Sequence, residues 1–475
     1  MFLRFTFANH RSLRDEVELS FVADGGNEFA RQAPGLSGVS VLPVAAIYGA
    51  NASGKSSVLN AVAFLSEAVE NSQRLWNPDA APPRQPFALD PRSAKAPSHF
   101  EVEAIVEGIR MAYGFELDDS GVTKEWIYAW PNGRRQAWLE RTGSSFSIAR
   151  TMPGEKRAIR ALTRPNSLFL SAAAQNNQEH LMPLYRKLTS GISLPRTPSR
   201  DSLELALQAS IRAIRDDRHD QIIELLRLAD LGIDDVIDNG ARAGWNQQNL
   251  FDMPVDTVHP DRARSAQREP TGRRKSREIG PTLLPAEVKP PHPEAIARRI
   301  RNVALLKQYR RREQFKASDI GFRHAGNRTV TLRVDQESSG TISWFALAGQ
   351  LLDVCGSGGL LCFDELDATL HPSLVAEVTG LFQDPSTNLN GAQLLAAGHD
   401  TTILSTSTDG HLSRDQIWLT EKANDGATCL IPLSDFAPRH GQNLETAYRQ
   451  GRFGGLPTIG AEEFASVLAP LRALA

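Results

Sequence analysis

The sequence has 475 residues, of which 41% are hydrophobic and 23% are charged, and its formal net charge is −2. Because a typical domain has about 150 residues, this length predicts one large domain or two to three smaller ones. The balanced charge excludes a globally basic coat for nucleic acid, but not a local basic patch. No apolar run approaches the roughly 18 residues of a membrane span, and the alternating start is unlike a signal peptide. Three cysteines cannot form a disulfide framework. We therefore expect a cytoplasmic protein with no membrane partner.

Hydrophobic periodicity predicts a mixed α/β chain. In order, the patterns indicate strands at 2–7, 17–21 and 44–48, a helix at 56–70, an antiparallel meander at 99–141, helices within 155–230, a flexible insertion at 239–295 with eight prolines, a basic helix from Arg298 to Lys316, and a strand at 329–334. We expect a mostly parallel sheet with an antiparallel layer from 1–22 and 99–141, and a helical lobe inserted between the two halves.

The segment from Gly49 to Ser56 fits the P-loop pattern G-x-x-x-x-G-K-[ST], and it lies between a predicted strand and a predicted helix. The glycines allow successive backbone amides to point at a phosphate group, and Lys55 supplies a cation for the β- and γ-phosphates. The Ser56 hydroxyl is a candidate ligand of Mg²⁺. The predicted nucleotide contacts from this segment are Gly49, Asn51, Ala52, Ser53, Gly54, Lys55, Ser56 and Ser57.

An apolar strand at 360–363 ends in Asp364 and Glu365. Open α/β sheets bind ligands at the carboxyl ends of their strands, so Asp364 is placed to hold Mg²⁺ through water. Glu365 is the candidate base that accepts a proton from the attacking water. The alternative is an ordinary acidic turn after a strand. The P-loop elsewhere in the chain favours the metal site over this alternative.

Two further segments belong with these motifs in chain order. Ser338 and Gly340 open a helical pattern and could offer an anion site, although such a segment is also an ordinary helix cap. His399 follows a short strand at 394–397 and is a candidate γ-phosphate contact. A histidine at a strand end is otherwise usually structural.

This order of motifs resembles the ABC-type ATPase heads of the SMC, RecF and OLD proteins. The opening Phe7-Ala8-Asn9-His10-Arg11-Ser12 is similar to the F-x-N-F-x-S start of that superfamily, with His10 in place of the usual aromatic residue. Three further segments are similar to AAA/OLD-like ATPases of bacterial abortive-infection and phage-defence operons, including the ATPase subunit of PARIS-type systems. They are 337–341, 364–372 and the tail from Tyr448 to Gly454.

The resemblance implies that ATP, with Mg²⁺, is sandwiched between two copies of the chain. Ser338 and Gly340 would then contact the γ-phosphate held by the partner's P-loop. Asp367 would take the dimer-contacting position, and His399 would be the switch histidine. Gln175 is the best placed candidate for the glutamine that senses Mg²⁺ and the attacking water, the alternative being a surface glutamine. A basic residue often follows the signature in this family, but residues 342–344 contain none.

We therefore predict an ABC-ATPase-like P-loop head without a long coiled coil. Its N-terminal part would be residues 1–180, an inserted lobe 181–325, and its C-terminal part 326–475. The expected function is an ATP-hydrolysing switch of an anti-phage system that oligomerises and controls a separate effector, a toxin or nuclease. The alternative is a RecF/SMC-like ATPase of DNA repair, in which DNA or RNA contacts the basic helix between Arg298 and Lys316. That helix could equally be a solvated face or a protein-binding surface.

Overall fold

A computed structural model describes residues 1–195, 203–229, 231–239, 317–324, 329–405, 411–438 and 442–455. The strands in these ranges are β1 (Phe2–Ala8), β2 (Val17–Ser20), β3 (Arg31–Gln32), β4 (Ser40–Val41), β5 (Val44–Gly49), β6 (Ser98–Val106), β7 (Ile109–Asp118), β8 (Gly121–Trp130), β9 (Gln136–Thr142), β10 (Ser145–Ile148), β11 (Ile192–Ser193), β12 (Ile233–Asp238), β13 (Ile320–His324), β14 (Val330–Arg333), β15 (Leu360–Asp364), β16 (Gln393–Ala397), β17 (Ile417–Lys422) and β18 (Thr428–Pro432). The α-helices are α1 (Lys55–Asn71), α2 (Pro91–Lys95), α3 (Arg157–Leu162), α4 (Phe169–Gln175), α5 (Met182–Leu188), α6 (Leu203–Ala213), α7 (His219–Leu228), α8 (Ser339–Ser357), α9 (Leu366–Thr369), α10 (Pro372–Gln383) and α11 (Leu444–Arg449).

Two large sheets organise these elements. Seven antiparallel strands follow the order β10-β9-β8-β7-β6-β1-β2, and six strands follow the order β11-β15-β16-β5-β17-β18. In the six-stranded sheet all pairs are parallel except β17 with β18. The topology confirms the predicted ABC-ATPase-like α/β head, a mostly parallel sheet with an antiparallel layer, and the meander at 99–141 falls within that layer.

The parallel sheet is buried on both faces because its strands alternate between two hydrophobic cores. Along β5, Ala45 and Ile47 point into the first core, whereas Val44, Ala46 and Tyr48 point into the second. The first core also contains α1 and the antiparallel sheet, so α1 lies between the two sheets. A strand whose two faces are both covered has apolar residues at successive positions. This is why the sequence predicted a strand at residues 44–48.

The second core joins the parallel sheet to helices α6, α7, α8 and α10. Helices α6 and α8 approach closely at Gly349, whose amide donates a 2.9 Å hydrogen bond to the Ser210 hydroxyl. A Cβ at Gly349 would overlap the backbone of Ser210, so a glycine is required at this crossing. The longest described helix is α8 with 19 residues, and no long coiled coil occurs in the described ranges.

The lobe predicted at 181–325 differs from a purely helical insertion. Strands β12, β13 and β14 form an antiparallel three-stranded sheet in which Ile233 and Phe322 are buried. Strand β11 pairs in parallel with β15, so the head sheet takes in residues after 180. Tertiary pairing decides both features, since a two-residue strand carries almost no periodic signal. Apart from residue 239, the flexible insertion predicted at 239–295 lies outside the described residues, as does the basic helix predicted from Arg298 to Lys316.

Candidate functional site

The predicted P-loop connects the end of β5 to the start of α1, so it lies at the carboxyl edge of the parallel sheet. Ala52 and Gly54 adopt positive φ angles of 63° and 115°, and Gly54 caps α1 in the left-handed conformation. Asn51 and Ala52 are exposed, whereas Gly49 is buried. The loop therefore presents its backbone outwards in front of the first turn of a 17-residue helix, an arrangement suited to phosphate.

Two threonines from neighbouring strands hold this loop from behind. The Thr420 and Ser53 hydroxyls lie 2.6 Å apart, and the Thr428 hydroxyl donates a 2.8 Å hydrogen bond to the Ser53 carbonyl. A Cβ at Gly49 would overlap Thr420, and a Cβ at Gly54 would overlap the Thr428 side chain. These positions therefore need glycine for space as well as for backbone angle.

Ser12 extends the same hydroxyl network from the N-terminal segment. Its hydroxyl oxygen lies 2.7 Å from the Ser57 hydroxyl and 2.8 Å from the Thr428 hydroxyl. The hydroxyls of Ser53 and Ser57, two residues predicted to contact nucleotide, thus belong to a hydroxyl network within the protein, and their backbone amides donate to the Ala50 and Gly54 carbonyls. Sequence reasoning quoted Ser12 only as part of the opening motif. It missed Thr420 and Thr428, for which the sequence offers no motif.

Lys55 is 6% exposed, and its ammonium donates to the carbonyls of Gly49 at 2.8 Å and Ala50 at 3.1 Å. Burial lowers the pKa of Lys55, while the charges of Asp364, Asp367 and Glu365 act in the opposite direction. The structure therefore brings the P-loop lysine and the acidic segment into electrostatic range of one another.

This convergence follows from strand register. Asp364 pairs with Ala397, and Ala397 pairs with Ile47, so the carboxyl ends of β15, β16 and β5 lie side by side. Asp364 carries a buried Oδ1 atom with no hydrogen-bond partner among the described residues. Such an orphaned carboxylate oxygen needs a donor or a cation from beyond the described residues.

Glu365 is exposed immediately beyond this strand and has a positive φ of 55°. A non-glycine residue in the left-handed region costs on the order of 1 kcal/mol, and such strain concentrates at functional sites. Glu365 is thus exposed where Asp364 is half-buried, so the two neighbouring carboxylates have different surroundings.

Asp367, the dimer-contacting position implied by the resemblance, forms hydrogen bonds within its own chain. Its Oδ2 atom accepts hydrogen bonds from the backbone amides of His399 and Asp400. A Cβ at Gly398 would lie 3.1 Å from Asp367 Oδ1, so the two segments are in close contact. Within a single chain, Asp367 thus joins the segment after β16 to the segment after β15 by hydrogen bonds. The His399 side chain is exposed.

Tyr48, the residue before Gly49, lies beneath these acidic groups. Its pKa is raised well above the ordinary value, mainly by complete burial and further by the negative charges of Asp367 and Asp400. The phenol therefore stays neutral, and the apolar floor of the site is closed to water.

Ser338 lies at the N-cap of α8, where its hydroxyl accepts a 3.1 Å hydrogen bond from the Thr341 amide. Ser338 is exposed and Gly340 is half-buried. No hydrogen bond among the described residues joins Ser338 to the P-loop of the same chain. The structure thus shows the helix cap that the sequence left open as the alternative, at an outward-facing helix end.

Gln175 is exposed and forms the last residue of α4. Helix α4 packs against α1, the helix that follows the P-loop. The structure therefore places Gln175 at the end of a helix beside α1, and its contact with Mg²⁺ and the attacking water stays a prediction. The sequence indicated the end of an apolar run, but the run is helical.

The C-terminal motif packs against the start of the P-loop. The Gly455 amide donates a 2.8 Å hydrogen bond to Glu421 Oε1, and the Tyr448 hydroxyl donates to the Gly455 carbonyl at 3.2 Å. The rings of Tyr48 and Tyr448 meet edge to face with centroids 6.1 Å apart. The tail quoted for the resemblance is therefore a wall of the site.

The donor set fits a magnesium ion held mainly by nucleotide phosphates. Mg²⁺ usually takes one or two protein oxygens together with phosphate and water. The exposed Ser56 hydroxyl and the orphaned Asp364 oxygen are of this kind. No group of three or more histidine, cysteine or acidic side chains in the described part of the chain could hold a metal by itself. In the same part of the chain, no helix combines the length and apolarity needed to cross a membrane.

Comparison with known proteins gives a family. The profile of a family described as "AAA domain, putative AbiEii toxin, Type IV TA system" matches residues 44–405. No curated protein matches the sequence. Among solved structures, a "SmcHead bound to the C-winged helix domain of ScpA" has a TM-score of 0.41 and 12% identity, covering 90% of this chain and 96% of that one. An Smc head domain with an extended coiled coil, bound to the C-terminal domain of ScpA derived from Pyrococcus furiosus, has a TM-score of 0.36 and 13% identity, covering 90% and 95%.

Proposed function

The chain belongs to the family described as AAA domain, putative AbiEii toxin, Type IV TA system, and on that premise we propose that it is a Mg²⁺-dependent ATPase acting as a molecular switch. Two copies sandwich ATP, and the resulting assembly controls a separate effector protein in bacterial anti-phage defence. Family membership makes the chain a P-loop ATPase of a group linked to toxin–antitoxin systems. The proposal adds the metal, the dimer, the effector and the biological setting.

The observation that carries the proposal is the convergence of Lys55 with Asp364 and Glu365 at one sheet edge. A structural P-loop turn would have no need of two carboxylates next to its lysine. In an ATPase, the lysine compensates the triphosphate charge, one carboxylate serves the metal and the other serves the water. The orphaned oxygen of Asp364 and the strained backbone of Glu365 favour the same reading.

Each residue then has a chemical task. Lys55 exchanges its carbonyl partners for the β- and γ-phosphates, and the loop amides bind the remaining phosphate oxygens. Ser56 and Asp364 are the residues that would hold Mg²⁺, which supplies charge compensation for the triphosphate. Glu365 accepts a proton from the attacking water, while His399 contacts the γ-phosphate.

The exposed signature supports a composite site. Ser338 and Gly340 occupy the first turn of a 19-residue helix whose remaining length is largely buried, so a second chain can reach this end of α8. Helix N-termini attract anions through free amides and the helix dipole. We propose that this end binds the γ-phosphate held by another copy.

The effector is proposed from the family description, which names a toxin and a type IV toxin–antitoxin system. The toxin or nuclease would be a separate protein, probed by co-purification with the product of a neighbouring gene. The repair alternative depended on the helix from Arg298 to Lys316, which lies outside the described residues. Strong stimulation of ATP hydrolysis by duplex DNA, falling steeply with salt, would favour repair over defence.

A mixing experiment tests the composite site. Lys55→Ala removes phosphate binding by the P-loop, and Ser338→Asp keeps an N-cap residue while placing negative charge where phosphate would bind. Each variant alone should be inactive. A mixture contains dimers in which one of the two sites is intact, so ATP hydrolysis should reappear.

Three outcomes, from these variants, from a dilution series and from an ATP-binding measurement, would contradict the proposal. A Ser338→Asp variant that hydrolyses ATP at the parental rate would show that the signature serine does not face phosphate. Parental activity per molecule that is unchanged by dilution to the monomer would show that one chain suffices. Failure to bind ATP at all would instead refute the ATPase assignment.

A further inference from the structure

A second cleft lies away from the P-loop, between the start of β8 and helix α3. Its volume is about 720 Å³. The lining residues come from the start of β8, the end of β9, the β9–β10 turn, and α3 with the residues beside it. They are Ser120, Gly121, Val122, Thr123, Arg141, Gly143, Ser144, Phe146, Arg157, Arg160, Ala161, Thr163 and Pro165. We call this the α3 cleft. Pockets that bind small molecules typically have volumes of roughly 300–1,000 Å³.

The charge of the α3 cleft is one-sided. Its lining contains three arginines and no acidic residue. Arg157 and Arg160 are exposed on α3, and neither guanidinium group donates a hydrogen bond to another described residue. Glu155, the acid near Arg157, has its Oε1 occupied by three backbone amides at the start of α3. Two guanidinium groups are therefore available to an anion.

Arg141 has a different role because it is saturated. It is 3% exposed and donates to the carbonyls of Gly143, Ser167, Arg164 and Pro165. It also pairs with the fully buried Glu125 at 3.5 Å. Its charge is compensated within the protein, so it builds the floor of the cleft rather than its anion contact.

The walls provide an aromatic face and an unused hydroxyl. The Phe146 ring has Arg141 at 4.9 Å and Arg160 at 5.7 Å from its centroid. Val122, Ala161 and Pro165 add apolar surface. The Thr123 hydroxyl is buried without a hydrogen-bond partner among the described residues. Buried hydroxyls are normally paired, so this atom is available to a polar group of a ligand.

We propose that the α3 cleft binds a nucleoside phosphate. The guanidinium groups of Arg157 and Arg160 match a phosphate in geometry and charge. The Phe146 ring offers a flat surface for a base, and Thr123 offers a hydrogen bond to the sugar or base. The same chemistry is found in a free mononucleotide and in the terminal nucleotide of a nucleic-acid strand. The proposal is independent of ATP hydrolysis at the P-loop.

Calorimetric titration of the full chain tests the proposal with three probes: AMP, inorganic phosphate and a short oligothymidylate. Each is measured on the parental protein and on Lys55→Ala, since binding at the P-loop would weaken in that variant and binding at the α3 cleft would not. The test variant is Arg157→Gln with Arg160→Gln. Arg134→Gln is the matched control, because Arg134 is exposed in the turn at the opposite end of β8. Circular dichroism verifies that each variant is folded.

We expect AMP to bind the parental protein and Lys55→Ala equally. A charge-assisted hydrogen bond contributes roughly 1.5–3 kcal/mol, so the double variant should bind at least about tenfold more weakly. The Arg134→Gln control should match the parent. AMP binding without oligothymidylate binding identifies a free nucleotide, whereas AMP-competed oligothymidylate binding identifies a strand end. Absence of binding by AMP and oligothymidylate, phosphate binding as tight as AMP, or a double variant equal to Arg134→Gln would each overturn the proposal.

Discussion

For Asp367, an experiment can separate the role seen within one chain from the role that the family resemblance implies between two copies. The resemblance implies a contact between two copies, whereas the structure shows a bond to the amides of His399 and Asp400 within one chain. Removing the carboxylate should therefore release the His399 segment in every copy, whether or not the copies are associated. We predict lower ATP turnover at saturating ATP and saturating protein concentration.

The magnitude follows from the two hydrogen bonds. A hydrogen bond to a charged group contributes roughly 1.5–3 kcal/mol, and two that share one oxygen are not fully additive. A loss of about 3 kcal/mol lowers the population of correctly placed His399, and hence turnover, on the order of a hundredfold in Asp367→Ala. Asp367→Asn keeps a neutral acceptor that is about half as strong, so its turnover should fall roughly tenfold.

The assay is steady-state ATP hydrolysis by the parent, Asp367→Asn and Asp367→Ala over a wide range of protein concentrations. Gly398→Ala is a useful companion, because its Cβ would lie 3.1 Å from Asp367 Oδ1 and press on the same contact. The structural explanation predicts lower turnover at every concentration. If the variants reach parental turnover once the protein is concentrated, Asp367 acts between copies and the reasoning is refuted.

Three other predictions concern separate parts of the site. Glu365→Gln should bind ATP normally but hydrolyse it about 10²–10⁴-fold more slowly, as measured by single-turnover kinetics. Gly54→Ala should abolish ATP binding in a filter assay, because Gly54 has φ of 115° and an added Cβ would overlap Thr428. Burial lowers the pKa of His10 from 6.5 to about 4, so the unfolded chain takes up this proton first. The corresponding stability, roughly 3 kcal/mol, is complete above pH 6.5 and lost as the pH falls towards 4, and His10→Phe should flatten that part of the pH dependence of chemical unfolding.

Each of these has an outcome that would count against it. Parental hydrolysis by Glu365→Gln would show that another group accepts the proton. Gly38→Ala introduces alanine at φ of 75° with open space around it; if it impairs ATP binding as much as Gly54→Ala does, crowding of the loop is not the cause. A His10→Phe variant that keeps the full parental loss of stability between pH 7 and 5 would show that other groups titrate there.

The local and periodic features of this protein could be predicted from its amino-acid sequence alone. The P-loop, the buried strands before it and before Asp364, and the antiparallel meander were all readable, because each is a short pattern with one physical reason. A strand covered on both faces must be apolar throughout, and a phosphate loop must combine glycine with lysine. Chain order and resemblance then indicated the nucleotide chemistry.

The contacts between segments that are distant in sequence could be identified only from the folded chain, because they depend on which strands pair. Thr420 contacts the P-loop because β17 lies beside β5, and Thr428 follows because β18 pairs with β17. Ser53 and Thr420 are 367 positions apart in the sequence. Asp367 reaches the His399 amide through the parallel register of β15 and β16, a contact that no local pattern encodes. Hydroxyls and carboxylates can be seen in a sequence, but their partners are fixed by the pairing of strands that fold together from distant segments.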